Sequence, residues 1–297
     1  MKSHKTLIPI LCFTLILVLQ PSAGAQTPEE DRLIFVAIDF PGSVATIPSG
    51  INAKGEIVGT YLNILSSTDH HGFLFFKGTF SAIDFPQATL GTDLSGINDR
   101  GAVVGEYFDT QGHGHGFTGE NGTFESIDFP NAAETAATGI NDSGEIVGAY
   151  INPSGDQHGF LLRQGQLTTI DVPGAFLTVA RGISNSGEIV GFFFDSAGNH
   201  GFVLSKGVFR TIDVRGGSRA SITAVNSNGA VVGGFTHKVV GTDSGFFLRK
   251  GVFQAIDFPG AAGTAANGIN ARGVIVGNFI DSAGTFHGFF AAAHAAR

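Results

Sequence analysis

Short apolar runs and turn-forming residues alternate along this chain, and the alternation is periodic. From Leu33 onward, runs rich in Ile, Val and Phe are broken by Gly, Asn, Asp and Pro at intervals too short for helices, so each run reads as a β-strand. Four landmarks recur in a fixed order. An Ile-Asp-Phe/Val segment carries Asp39, Asp84, Asp128, Asp171, Asp213 and Asp257, at spacings of 42 to 45 residues. A Gly-Ile-Asn segment follows, beginning at Gly50, Gly96, Gly139, Gly182, Ala224 and Gly268; the fourth copy has Ser184 for Asn and the fifth reads Ala224-Val225-Asn226. Ile/Val-Val-Gly comes next, ending at Gly59, Gly105, Gly148, Gly191, Gly233 and Gly277. His-Gly-Phe closes the unit around Gly72, Gly116, Gly159, Gly201, Gly245 and Gly288, with Ser244 replacing His in the fifth copy. A period of this size predicts a solenoid or a propeller.

The turns decide between them. Asn52-Ala53-Lys54-Gly55 and Asp195-Ser196-Ala197-Gly198 are Asx-x-x-Gly turns, and Lys77-Gly78, Asn121-Gly122, Gln164-Gly165, Lys206-Gly207 and Lys250-Gly251 read as two-residue hairpin turns. With one longer crossover (Pro41 to Thr46 and its equivalents), each unit holds four strands, the make-up of a propeller blade. The innermost strand carries Gly-Ile-Asn and is rich in small residues (Thr135 to Asn141), the second Ile-Val-Gly, the third starts at His-Gly-Phe, and the outermost ends at Ile-Asp-Phe. The chain begins with a lone outermost strand, Leu33 to Phe40, and ends with a lone third strand, His287 to Ala293. Pairing them leaves no free gap between blades. The expected fold is all-β: a six-bladed β-propeller of four-stranded blades over 33–297, closed by pairing the N-terminal strand with the C-terminal blade.

The hairpin turns also set the register. About Lys77-Gly78, Phe75 faces Phe80, Phe73 faces Ala82 and His71 faces Asp84. The same arithmetic pairs His115 with Asp128, His158 with Asp171 and His200 with Asp213, and His287 meets Asp39 in the closing blade. Opposed residues are close enough for a His–Asp hydrogen bond. Acid–base or metal chemistry needs one site, whereas this pair recurs around the ring, so the pairs read as structural. A Ser-His-Asp triad would need a distinct nucleophile and oxyanion hole as well. Ser244 facing Asp257 suggests that a hydroxyl serves in the fifth blade.

The unit Gly-Ile-Asn-x-x-Gly-x-Ile-Val-Gly followed by His-Gly-Phe resembles the HAF repeat, named for its His-Ala-Phe signature and found in predicted extracellular bacterial proteins. The resemblance covers residues 33 to 293, with Gly standing where the family name has Ala. It implies export and a repeat fold. It implies no activity, and no functional residue is carried over from it.

The first 25 residues read as an export leader: Lys2 and Lys5 precede an apolar run from Leu7 to Leu19, and Ala23-Gly24-Ala25 precedes Gln26. A short linker, 26–32, follows. Cys12 is the only cysteine, so the mature chain would rely on packing without disulfides. Without Lys2 and Lys5 the chain has 15 basic against 25 acidic residues, a net charge of −10. That excludes nucleic acid and anionic membrane as expected partners, since both call for basic patches. The 44 Gly and 28 Phe, with no Trp, fit many short strands and tight turns.

Function is then sought where the repeat is broken on the face shared by the crossovers and the second-to-third turns. There stand His70, with Asp69, in a longer loop; His113 beside His115; His237; and Arg215 and Arg219 in the fifth crossover. Three residues before each Asn lies a polar position: Ser49, Ser95, Thr138, Arg181, Thr223 and Asn267, with Asp93 and Glu134 nearby. His70, His113, His237, Arg181, Arg215 and Arg219 are the candidate ligand site, suited to an anionic or sugar ligand. No catalytic residue, metal or cofactor is expected; Asp-Ser-Ala-Gly and Asp-Thr-Gln-Gly turns lack the alternating carboxylates calcium takes. The expected function is a secreted, monomeric, non-enzymatic binding module for a glycan, small molecule or protein. The alternatives are a secreted hydrolase or lyase working at the channel mouth on a polysaccharide or ester, and a structural matrix protein.

Overall fold

A computed structural model describes residues 17–19, 33–64, 69–214, 216–239 and 241–293. The leader expected over 1–25 and the linker over 26–32 lie outside the described residues, apart from the strand Leu17–Leu19, whose backbone pairs in parallel with Ile212–Val214. Every element among the described residues is a β-strand. Sheet 1 runs from innermost to outermost strand through Ala45–Ile51, Ile57–Leu62, His70–Phe76 and Thr79–Ala82. Sheet 2 comprises Gly91–Ile97, Val103–Phe108, Gly114–Glu120 and Thr123–Ile127. Sheet 3 comprises Glu134–Ile140, Ile146–Ile151, Gln157–Arg163 and Gln166–Ile170. Sheet 4 comprises Leu177–Ile183, Ile189–Asp195, Gly198–Ser205 and Val208–Val214. Sheet 5 comprises Gly217–Val225, Val231–His237, Asp243–Arg249 and Val252–Ile256. In the sixth, Gly263–Ile269, Ile275–Ile280 and Phe286–Ala293 are joined by Leu33–Ile38, which pairs antiparallel from Leu33↔Ala293 to Ile38↔Gly288.

Local chemistry explains the hairpins. Lys77 and Gly78 both take positive φ, 50° and 82°, and the other four two-residue turns repeat this, as the twist of paired strands favours. The turn sets Phe75 against Phe80 and Phe73 against Ala82. At the inner turn, Asn52 Oδ1 accepts the N–H groups of Lys54 and Glu56, which closes the loop on a side chain. At the crossover a buried threonine does similar work: Phe85 N–H donates to Thr92 Oγ1, and equivalent bonds form at Thr46, Thr135, Thr178 and Thr264.

The core is divided into six seams, each shared by two sheets. Val58 of sheet 1 packs with Leu94, Tyr107 and Phe117 of sheet 2, and Val104 packs with Ala137, Tyr150 and Phe160 of sheet 3. Val147, Val190 and Val232 continue the series into sheets 4, 5 and 6. Val276 of the sixth sheet packs with Ile51, Tyr61 and Phe73 of the first. All six valines and the six phenylalanines of the His-Gly-Phe segments are fully buried.

A chain of asparagines joins the inner turns. Asn52 Nδ2 donates to Asn98 O, Asn98 to Asn141 O and Asn141 to Ser184 O; Asn226 donates to Asn270 O and Asn270 to Asn52 O. The one step not made is from sheet 4 to sheet 5, because Ser184 has no amide to donate. Its hydroxyl accepts Glu188 N–H and pairs with Ser186 Oγ instead. Ser184→Asn should restore the donor to Asn226 O and raise the unfolding free energy by about 1 kcal/mol in a denaturant titration. An unchanged or lower midpoint would mean that the ring of amides contributes nothing there.

Candidate binding site on the axis

Each innermost strand slips register by one residue against its neighbour, between Pro48 and Gly50, Leu94 and Gly96, Ala137 and Gly139, Ala180 and Gly182, Ile222 and Ala224, and Ala266 and Gly268. The bulged residues are Ser49, Ser95, Thr138, Arg181, Thr223 and Asn267, the polar positions singled out from the sequence. A bulge re-aims its side chain, and all six line one axial cavity of about 300 Å³. Its floor is a collar of Ile51, Ile97, Ile140, Ile183, Val225 and Ile269. The same residues roof a smaller cavity of about 80 Å³ at the asparagine ring. The residue after the bulge must be small: a Cβ on Gly139 would lie 2.9 Å from Arg181 O and 3.0 Å from Gly182 Cα.

Three of the bulged side chains are used up as bridges between sheets. Thr138 Oγ1 donates to Ala180 O at 2.8 Å, Thr223 Oγ1 to Ala266 O at 2.7 Å, and Asn267 Nδ2 to Pro48 O at 2.8 Å. Asn278 steadies Asn267 from the neighbouring strand. Arg181 makes no such bridge. Its guanidinium carbon lies 5.6 Å from the centre of the Phe192 ring, and it forms no hydrogen bond or ion pair with a described residue. Its side chain is exposed to solvent along the axis, while the protein walls around it lower its pKa and Glu106 pulls it back up.

Glu106 was not singled out by the sequence reading. It opposes Asp93 directly in sheet 2. The equivalent pairs are Ile47–Thr60, Ala136–Ala149, Val179–Phe192, Ser221–Gly234 and Ala265–Asn278, so only sheet 2 sets two acids face to face. Like charges so placed are destabilising. The arrangement has a matching vacancy: a Cβ on Gly114 would lie 2.0 Å from Glu106 Oε1, and the other sheets carry His70, Gln157, Asn199, Asp243 or Phe286 at that place. Burial, then the charges of Asp93 and Glu134, push Glu106 up to about 7 against the opposing pull of Arg181 and His115. His70 Nδ1 lies 3.2 Å from Asp93 Oδ2. The signal that finds Glu106 is the residue after each Ile/Val-Val-Gly, where it is the only charge.

The repeated histidines form a different assembly. His71, His115, His158, His200 and His287 place Nδ1 2.7 to 3.1 Å from Asp84, Asp128, Asp171, Asp213 and Asp39. On the other nitrogen stand Asp69, Asp109, Asn152, Asp195 and Asp281, at 3.3 to 3.6 Å. Each imidazole also stacks on the aromatic ring of the second strand, as His115 does on Tyr107 at 5.1 Å, and Tyr107 stacks on Phe85 at 3.9 Å. With Nδ1 held by a carboxylate and one ring face covered, these imidazoles serve as pegs, although His200 Nε2 is buried without a hydrogen bond to a described residue. In sheet 5, His237 Nε2 pairs with Ser244 Oγ at 3.0 Å, so Ser244 serves His237 and not Asp257 as expected from the register.

The six candidate ligand residues do not converge. Arg181 alone of them lines the cavity, and His70 is turned to Asp93 of sheet 2. His113 is exposed and turned toward Asp109 of its own turn, His237 is held by Ser244, and Arg219 is exposed at the start of the fifth innermost strand with φ 54°. Arg215 lies outside the described residues.

No family model and no curated protein matches the sequence. Solved structures do match in shape. A protein of unknown function from Dyadobacter fermentans aligns at TM-score 0.54 and 11% identity over 88% of this chain and 98% of that one. The fucose-recognising lectin of Aleuria aurantia, a six-bladed β-propeller, aligns at 0.52 and 12% over 83% and 93%. TolB from Acinetobacter baumannii aligns at 0.52 and 10% over 79% and 63%. Likeness at this identity shows the fold, an all-β propeller architecture, and nothing of the site.

Two titrations follow from the geometry. Glu106 sits above its ordinary 4.5, so its ionisation opposes folding; that cost is absent below about 4.5 and complete above about 7. Glu106→Gln should therefore stabilise the protein by roughly 1–2 kcal/mol at pH 8.5 and not at pH 4, read from denaturant midpoints. Burial alone would lower His115 and His287, but hydrogen bonds to Asp128 and Asp109, and to Asp39 and Asp281, raise both above 6.5. Their contribution is full below about 6.5 and is lost as pH climbs through the folded values. Replacing both by Gln should lower the melting temperature at pH 5.5 and change it little at pH 8.5.

Proposed function

We propose that this chain is an exported β-propeller of the HAF-repeat type, its six-bladed ring closed by the N-terminal strand, that works as a non-enzymatic binding module. Its ligand enters the axial cavity and meets Arg181. One observation carries the reading: a cavity floored by an apolar collar, walled by six bulged polar residues, with the Arg181 guanidinium bonded to no described residue. A largely preformed concavity with a few polar groups on its wall is what ligand sites look like. The pairing of Leu33–Ile38 with Phe286–Ala293, and the return of Asn270 to Asn52, support the closed ring. The fungal lectin supports a sugar as the first ligand class to try. The partner is then a glycan or small molecule, with no part for nucleic acid or membrane in a chain this acidic.

A second reading, a hydrolase or lyase, has one observation in its favour. Asp93 and Glu106 are opposed carboxyl groups in unlike surroundings, Asp93 bonded to His70 and Glu106 holding its proton to about 7. Such a difference is how one site supplies both an acid and a base.

A glycan array followed by calorimetry on the mature protein tests both. Binding of a saccharide that Arg181→Ala weakens at least tenfold, with no turnover, is the expected result. Turnover of a polysaccharide or ester panel that Glu106→Gln abolishes would put the enzyme first.

A further inference from the structure

The cavity, taken with sheet 2, restricts the ligand further, and this step rests on the binding reading above. Two donors on the cavity wall have no acceptor among the described residues: the Arg181 guanidinium and the Ser95 hydroxyl. Phe192 lies against the guanidinium, and Arg181 lines the cavity. A planar fork of N–H groups fits a carboxylate in a bidentate pair. Around it the wall offers the Ser49 and Ser95 hydroxyls and, among the described residues, no second cation. One cation suits a monoanion; a phosphate or polysulfate would call for more.

We propose that the axial cavity takes a small uronic acid, its carboxylate anchored on Arg181, and that Glu106 takes up a proton when the ligand binds. The reason for the second half is charge. Glu106 holds in sheet 2 the register position at which Asn278 lines the cavity in sheet 6 and Phe192 lies against Arg181 in sheet 4, and the two charges act on each other electrostatically. The groups facing Glu106 are Asp93 from its own sheet, itself paired with His70, Glu134 from the next sheet, His115 from the third strand and Arg181 from sheet 4. Bringing a carboxylate to Arg181 cancels the one strong positive charge that favours ionised Glu106, while Asp93 and Glu134 remain. The bound state therefore holds Glu106 protonated, and ionised Glu106 works against the ligand. Because Glu106 is divided between its two forms near neutral pH, affinity falls as pH rises through that range.

The test is titration calorimetry of the mature protein with D-galacturonate, whose own carboxyl is ionised throughout, at pH 6 and pH 8 in two buffers of different ionisation enthalpy. Expected are an affinity about tenfold weaker at pH 8, net proton uptake between the two values, and no binding of D-galactose at the same concentrations. Glu106→Gln should bind with the affinity seen at pH 6 and lose both the pH dependence and the proton uptake. Arg181→Gln should abolish binding with its melting temperature unchanged. Uronate affinity that is independent of pH, or galactose 6-sulfate binding more tightly than galacturonate, overturns the proposal. Galactose binding that Arg181→Gln does not weaken overturns it too, yet leaves a sugar-binding propeller standing. Failure of every saccharide on the array removes the binding reading together with this one.

Discussion

A four-stranded sheet of this composition has two apolar faces and no helix to cover either. Each face is buried against the next sheet, and the contact that does this is one valine set into the neighbour's aromatic cluster. Val58, Val104, Val147, Val190, Val232 and Val276 are fully buried, each among residues of the following sheet. At roughly 25 cal/mol per Å² of apolar area removed from water, these seams are the main favourable term in a chain whose single cysteine can close no disulfide within it. No sheet satisfies itself, so the seams have to be made in succession, and Val276 returns the succession to sheet 1.

The seams also determine what happens at the axis. Six sheets brought together at their inner edges leave room only for small residues, and the strands meet at Gly50, Gly96, Gly139, Gly182, Ala224 and Gly268. One residue before each of these, the strand bulges. The bulge turns a side chain out of the ladder and into the central cavity above the apolar collar. A polar residue is the natural occupant, and its first use is structural: Thr138, Thr223 and Asn267 bond to the next sheet's carbonyls. Function enters where that use is abandoned. Arg181 is too long for the bridge and has been given Phe192 to lie on, so its charge stays available.

Sheet 2 shows the same departure in another form. Asp93 and Glu106 oppose each other where the other sheets pair residues that do not share a charge, and Gly114 makes room for the Glu106 carboxyl. A fold that repeats its unit six times has five examples of a cheaper solution at this position. The energetic cost of the acid pair is therefore specific to sheet 2, and Arg181 on the cavity wall partly offsets it.

Much of this was legible from the chain, because strand, turn and repeat are local. The hairpin dipeptides set the register, and with it His71 beside Asp84, and the repeat extends the same pairing to His287 beside Asp39, a contact across almost the whole chain. Less was legible about the site. His113 and His237 break the repeat as plainly as Arg181 does, yet they turn to Asp109 and Ser244, because a turn residue meets its own turn first. Glu106 was overlooked since its neighbours Asp93 and Glu134 lie 13 and 28 residues away in sequence. Periodicity in the sequence was enough to determine the strands, their order and the His–Asp pegs. Which polar side chains are spent between sheets, and which are left facing the cavity, was decided only when six sheets met on one axis, since a bulge's direction and a carboxyl's burial depend on neighbours the linear chain does not reveal.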